Sequence, residues 1–306
     1  MTVRPFDTPR VALSTAEGRH PQGRPGRARG VIDLHLHTTA SDGRCTPREL
    51  VDLAADEGVS VMAVTDHDTT AAVAEVRTAA LERGLQAVSG IEITAVEAGR
   101  DLHVLGYLFD PLHQALGAFL LTQRAARIAR VQAIGARLAA LGVPVDVEPL
   151  VRQAGRESGR SVGRPQVARA MIDAGHVADT QEAFDRWLGQ GRPGFVPRAG
   201  PAPEAVIEII HQAGGIASLA HPGKFGLDAR IPSLAEAGLD AVEAFHPDHD
   251  ASLVRRYVQA ARGLDLLLTG GSDFHGDPGH GLSPGAVTLP AAEFARLRAA
   301  RPHAFR

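Results

Sequence analysis

In the run Val31-Ile32-Asp33-Leu34-His35-Leu36-His37, apolar and polar residues alternate. On a strand, Ile32, Leu34 and Leu36 share one face and Asp33, His35 and His37 the other. Residues two apart on a strand lie about 7 Å apart at Cα, so both imidazoles can reach one cation between them. Neutral imidazole is the commonest protein ligand for zinc-like ions. A half-exposed strand that happens to carry two His has the same local pattern, so the decision rests on the rest of the chain. More such donors follow: Asp42 in Ser41-Asp42-Gly43, His67 in Asp66-His67-Asp68, Glu92 in Gly90-Ile91-Glu92, and His103. His221-Pro222 and Ser272-Asp273-Phe274-His275 add three. With His35 and His37 these make six His and three carboxylates. Nine donors exceed the four to six positions of one ion and suit two or three ions sharing a bridging carboxylate. A set of His and carboxylates without Cys suits zinc, manganese or iron.

The elements that must position these residues alternate between strand and helix. After the first strand, Thr46-Pro47-Arg48-Glu49 forms a capping box that starts a helix running to about residue 57, before Gly58. Strands are expected at 59–65, 85–93, 102–108, 216–220, 240–245 and 264–269, with a short last strand at 286–289. Helices are expected at 71–83, in the segment from 203, near 233–237 and at 252–262. Such alternation implies a parallel sheet, closed as a barrel or open and doubly wound. The barrel is favoured because His67, Glu92, His221 and Asp273-Phe274-His275 sit at or just past the C-terminal ends of strands, where barrel enzymes keep their chemistry. His103 is the misfit: it begins its strand. Between residues 113 and 200 the rhythm breaks into a long Ala/Arg/Leu helix and then mixed helix and loop. This divides the chain into a disordered leader (1–29), a barrel (30–112 and 201–306) and an inserted helical lid (113–200).

Composition narrows the class. At 306 residues there is room for one large domain with an insertion. No apolar run reaches membrane-spanning length, and the Arg/Pro/Gly-rich start lacks the apolar segment of a secretory signal. Cys45 is the single cysteine, which rules out an intramolecular disulfide and a Cys-based zinc cage and fits the cytoplasm. A net charge of −3 argues against stable binding to duplex nucleic acid. The 14 His against 2 Tyr and 1 Trp point again to metal.

The motifs Asp33-Leu34-His35-Leu36-His37, Asp66-His67-Asp68, Gly90-Ile91-Glu92, His221-Pro222 and Ser272-Asp273-Phe274-His275 resemble the metal motifs of the PHP (polymerase and histidinol phosphatase) superfamily. The resemblance spans nearly all of residues 31–290. It is strongest to the single-domain phosphoesterases with an inserted helical segment, which act as nucleoside 3′,5′-bisphosphate phosphatases or as 5′→3′ exoribonucleases on short RNA. The resemblance implies a distorted seven-stranded barrel and three metal positions. His35, His37, Glu92 and Asp273 would hold the first. Glu92 would bridge to the second, completed by His103 and His221. Asp42, His67 and His275 would hold the third. The implied activity is hydrolysis of a phosphate monoester by a metal-activated hydroxide, with Glu92, Asp273 and His275 at its centre. Its substrate would be a phosphorylated nucleotide or short oligonucleotide. Rival expectations are the exoribonuclease, a histidinol-phosphate phosphatase and a non-catalytic regulatory module.

Substrate contacts are sought among cations. Residues 122–170 hold nine Arg against three acids, a net of +6 in a chain that is net negative. A solvated helix face explains such a run; so does a lid presenting guanidinium groups to an anion. Arg164, in the family-like Gly163-Arg164-Pro165, is the first choice for a phosphate contact. Lys224 in His221-Pro222-Gly223-Lys224, Arg198, and His246 just past a strand end complete the expected set. His275 and His246 are candidates to assist the leaving group. Asp66 and Asp68 are open between orienting the ligand imidazoles and, for Asp68, capping the next helix. His20, His113, His176, His211, His249, His280 and His303 default to surface or packing roles.

Overall fold

The computed structural model describes residues 30–156, 159–277 and 282–302. The expected leader, with His20, lies outside the described residues, as do Glu157, His280 and His303. In chain order the elements are β1 Val31–Leu36, α1 Pro47–Asp56, β2 Val59–Val64, α2 Val73–Glu82, β3 Gln86–Glu97 and β4 Arg100–Tyr107. Then come α3 Gln114–Ala140, α4 Glu148–Arg156, α5 Arg164–Asp173 and α6 Thr180–Ala183, which runs into a π-turn Phe184–Leu188. The last part holds α7 Pro203–Gln212, β5 Ile216–Leu219, α8 Pro222–Phe225, α9 Ile231–Glu236, β6 Ala241–Phe245, α10 Ala251–Gly263, β7 Leu267–Gly270 and α11 Ala291–Ala300. The capping box at Thr46 and Glu49 starts α1 as expected.

The seven strands form one sheet in chain order, β1 to β7. Its two ends meet. His37 N–H donates to Phe274 O (3.0 Å), Ser272 N–H donates to Asp33 Oδ1 (2.9 Å), and Leu36 bridges Phe274 in parallel. The sheet thus curls into a distorted barrel, with α1, α2, α7 and α10 packed against the strands.

One strand is reversed, which corrects the all-parallel expectation. β4 runs antiparallel to both β3 and β5. Glu97 pairs with Arg100, leaving a two-residue turn, Ala98-Gly99, at φ 48° and 74°. Positive φ at both positions is what a tight turn between twisted strands requires, and two residues cannot make a parallel crossover. β3 therefore continues to Glu97, past the expected end at residue 93. The expected strand at 286–289 does not form. Leu289 N–H donates to Ile32 O (2.9 Å) and Ile32 N–H to Thr288 Oγ1 (3.0 Å), but Gly285 at φ 78° and Pro290 bound the run too closely for a ladder.

The helical insertion has its own core, in which Val131, Ile134 and Leu138 of α3 meet Val167 and Met171 of α5 and Leu188. The N-terminal part of α3 belongs elsewhere: Leu116 and Leu120 pack with Val206 and Ile210 of α7 in the barrel's outer core. One continuous helix thus links the two cores. No helix among the described residues is long and apolar enough to cross a membrane.

Candidate metal centre

The rim where the strands end gathers all nine expected ligands. His35 and His37 leave β1 on its polar face and are fully buried. His67 follows β2 and bridges Glu92 of β3. His221 follows β5, and Asp273 and His275 follow β7. His103 joins them because β4 is reversed: its early residues lie at the same rim as the other strands' ends. Asp68, His221 and Asp273 adopt positive φ (52°, 28° and 49°), strained for non-glycine residues, and all three lie at this rim.

Glu92 is at the centre, and its two oxygens face different partners. Oε1 lies 2.7 Å from His103 Nδ1 and 3.0 Å from His221 Nε2. Oε2 lies 3.4 Å from both His35 Nε2 and His37 Nε2 and 3.2 Å from His67 Nδ1. Asp273 Oδ1 is 3.3 Å from His35 Nε2 and from His37 Nε2. Asp42 approaches His67 Nε2 at 3.5 Å, His275 Nε2 at 3.4 Å and His37 Nδ1 at 3.7 Å. Donor atoms within 4.8 Å of one another form the groups His37/Asp42/His67/His275, His35/His37/Asp273, His67/Glu92/His103 and His35/Glu243/His246.

These residues fit a metal cluster. Among the described residues, no hydrogen-bond partner meets the buried ring nitrogens of His37, Nδ1 of His67, Nδ1 of His103 or Nδ1 of His221. Buried polar atoms are normally paired. His67 Nδ1 and His103 Nδ1 stand close to Glu92 oxygens yet are not aligned to hydrogen-bond them, as expected of lone pairs that converge on a common point. The N/O donor set without sulfur suits divalent zinc, manganese or iron.

Electrostatics sort the donors: against its burial, Glu243, Asp273 and Glu92 hold His35 well above the usual imidazole range. Burial pushes His67 down to about 3, outweighing Glu92 and Asp42, and His221 down to about 4. Burial would raise Glu92, Asp42 and Asp273, but the surrounding imidazoles hold all three well below the usual carboxylate range. His275 follows His35: burial lowers it, but Asp42 and Asp273 lift it to about 9.

A further layer of residues aims the ligands, and the sequence reading missed most of it. Glu243, fully buried on β6, accepts from His35 Nδ1 through Oε1 (2.8 Å) and from the His221 N–H through Oε2 (2.8 Å). This fixes Nε2 of His35 toward the cluster. Its one sequence signal is an acid inside the apolar run Ala241-Val242-Glu243-Ala244-Phe245. Asp33 accepts from the Ser272 hydroxyl (2.6 Å), the Ser272 N–H and the Gly285 N–H (2.7 Å), tying β1 to the segment that carries Asp273. Asp66 accepts from Thr38 N–H, Thr38 Oγ1 and Ser41 Oγ, and so shapes the loop carrying Asp42. Asp68 caps no helix, since the N-cap of α2 is Ala72. It accepts instead from Thr94 N–H, Arg127 Nε and Arg198 Nη2 (2.9, 2.5 and 2.9 Å).

The expected substrate contacts separate. Arg198 does not face the cleft: its side chain is buried between Asp68 and Gln123, which corrects the expectation for it. Arg164 lines the cleft, with Nη2 donating to Asp101 Oδ2 (3.1 Å) and its guanidinium 5.6 Å from the ring centroids of both Phe184 and Phe195. Burial and the neighbouring Arg130 lower it to about 10, still cationic at neutral pH. Lys224 lines the same cleft, its Nζ 3.5 Å from Asp273 Oδ2. His246 Nδ1 accepts from the Asp248 N–H (3.1 Å), so its proton sits on Nε2 and is donated to Asp273 Oδ2 at 3.2 Å. Arg169, also on the cleft wall, donates to the Asp42 carbonyl oxygen. The whole cleft has a volume of about 1160 Å³, with the cluster as its floor and the β3–β4 hairpin, α5 and α8 in its walls.

Comparison with known proteins agrees with this geometry. The PHP domain model matches residues 33–141. A 5′-3′ exoribonuclease of Haemophilus influenzae is 36% identical over 248 residues, covering 79% of this chain and 89% of that protein. A 3′,5′-nucleoside bisphosphate phosphatase of Chromobacterium violaceum is 32% identical over 255 residues, covering 82% and 88%. Among solved structures, that of a proposed metal-dependent phosphoesterase from Bifidobacterium adolescentis superposes with a TM-score of 0.80 at 31% identity, covering 88% and 96%. A rim of His and carboxylates around one shared glutamate, on a distorted seven-stranded barrel matched over most of its length, places this chain in the PHP family of metal-dependent phosphoester hydrolases.

Proposed function

We propose that the chain removes the 3′-phosphate of nucleoside 3′,5′-bisphosphates, using two or three divalent transition metals held around Glu92. The observation that carries this reading is the two-sided Glu92, His103 and His221 on one oxygen and His35, His37 and His67 on the other, at the floor of a cleft with Arg164 and Lys224 in its walls. His35, His37, Glu92 and Asp273 would hold one ion, Glu92, His103 and His221 a second, and Asp42, His67 and His275 a third. Divalent ions there supply Lewis acidity, which lowers the pKa of water to about 7 and offsets charge on the phosphoryl oxygens.

The chain's own residues do the rest. Glu243 and Asp66 keep the ligand rings and the Asp42 loop in place. The Nε2 proton of His246 fixes the Asp273 carboxylate. Lys224, exposed on the wall and held charged by Asp273 and Asp248, offers a cation beside the cluster. Arg164 stands farther along β4, because its partner Asp101 is two residues from His103 on the same strand face. That offset suits a second phosphate on the same nucleoside. The Chromobacterium violaceum relative acts on this class of substrate.

A 5′→3′ exoribonuclease is the second reading. It is favoured by the cleft volume, about 1160 Å³, which exceeds the roughly 300–1,000 Å³ of ordinary small-molecule pockets. The test is a release assay on metal-loaded protein comparing a nucleoside 3′,5′-bisphosphate with a short 5′-phosphorylated RNA. Inorganic phosphate and nucleoside 5′-monophosphate from the bisphosphate, at higher kcat/KM than mononucleotide release from the RNA, is the expected result. Preference for the RNA would replace the first reading with the second.

A further inference from the structure

Phe225 is a large apolar side chain left 43% exposed, and it stands in the cleft wall. Single exposed apolar residues are ordinary. This one differs in its neighbours and in how firmly it is held. Its ring centroid is 5.3 Å from that of His221 and 6.1 Å from that of His103, edge-on to both. It therefore touches the two imidazoles that face Glu92 Oε1.

The turn beneath it is fixed at several points. Pro222 begins α8, and Gly226 ends it in the left-handed conformation at φ 65°. The Leu227 N–H donates to Pro222 O (3.0 Å). The Gly223 N–H donates to His249 Nε2 (3.1 Å), while His249 Nδ1 donates to Ala244 O (3.0 Å), which anchors the turn to the end of β6. A Cβ on residue 223 would sit 2.8 Å from the His249 ring, so the turn seats directly on that ring. Beyond α8, Arg230 makes a two-point ion pair with Glu97 (2.8 and 2.6 Å), binding the segment after Phe225 to the tip of the β3–β4 hairpin. The wall is thus continuous from hairpin to α8, and the backbone carrying Phe225 is held on both sides.

We infer that Phe225 is a stacking platform for the nucleobase of the substrate, a specificity-determining contact beside the metal cluster. The inference rests on the proposed function and deepens it. An aromatic face held next to the site where a phosphoryl group is cleaved accepts the flat base attached to the same ribose, and it does so for any base, since every base has a π-face. It also gives the enzyme a means of preferring nucleotides over sugar phosphates, which the cations in the wall cannot provide.

The test compares metal-loaded wild type with Phe225→Ala, Phe225→Leu and Phe225→Trp. Calorimetry measures the binding of adenosine 5′-monophosphate and of ribose 5-phosphate, and steady-state kinetics uses a nucleoside 3′,5′-bisphosphate and ribose 3,5-bisphosphate. Wild type should bind the nucleotide more tightly than the sugar phosphate. Phe225→Ala and Phe225→Leu should weaken nucleotide binding and raise its KM about ten-fold more than they do for the base-free ligands. Phe225→Trp should retain wild-type values. Equal binding of the two ligands by wild type, or equal effects of Phe225→Ala on both, would overturn the inference. Should wild type release no phosphate from the bisphosphate, the proposed function fails by itself, and the binding comparison still decides the role of Phe225.

Discussion

Glu92 and His103 lie on neighbouring strands that run in opposite directions, yet Glu92 Oε1 is 2.7 Å from His103 Nδ1. Only the reversal of β4 allows this. In a fully parallel barrel a residue near the start of a strand would lie at the far end from the other ligands. The two-residue turn at Ala98-Gly99 brings it back to the rim, so the second group of donors depends on that hairpin.

Glu243 aims His35 through one carboxylate oxygen and fixes the His221 backbone through the other. Glu243→Gln should therefore lower metal affinity by about 10- to 100-fold, the usual cost of losing such a supporting partner. Titration of metal-stripped protein with manganese or zinc measures it. Unchanged affinity would mean that the ligand rings are positioned by packing alone.

Much of this site is legible in the sequence, and what is not has a common cause. The ligand motifs lie within single strands or at their ends, so spacing and alternation reveal them. Asp33 and Asp68 stand inside the motifs and Glu243 inside an apolar strand run, but their partners lie on other strands or helices, so spacing does not reveal what they hold. The arginine-rich insertion shows the same limit. Its net of +6 counted only acids within residues 122–170, but the partners lie in the barrel. Arg127 pairs with Asp68, Arg130 and Arg164 with Asp101, and Arg169 with Asp277. Much of the apparent excess charge is therefore neutralised across the interface between insertion and barrel. The turn at Ala98-Gly99 was missed because Ala is a weak signal for the positive φ it adopts.

That interface includes a buried ionic group with a stability consequence. Asp68, with Arg127 and Arg198, joins the segment after His67 to α3 and to the chain beyond α6. Removing one member of a buried pair leaves the others uncompensated, at a cost of about 3–5 kcal/mol. Asp68→Ala should lower unfolding stability by that order in a urea titration. A loss within the range of exposed substitutions, about 0.5 kcal/mol, would show that water replaces the carboxylate.

Arg164 should distinguish substrates with two phosphates from those with one. A hydrogen bond to a charged group contributes roughly 1.5–3 kcal/mol, so Arg164→Ala should cost about ten- to a hundred-fold in kcat/KM on a nucleoside bisphosphate. An aryl monophosphate, lacking the second group, should lose much less. Because Arg164 also packs between Phe184 and Phe195, equal losses on both substrates would assign it a supporting role in the wall.

The metal content of wild type and Glu92→Gln is the most direct test of the account, since every proposed role depends on a carboxylate shared between ions. Elemental analysis after reconstitution with manganese or zinc should find two or three ions per wild-type chain. Glu92→Gln should lose more than one of them, along with turnover, while keeping its circular dichroism spectrum. A wild type that holds one ion or none, or a Glu92→Gln variant with full metal content and near wild-type activity, would contradict it.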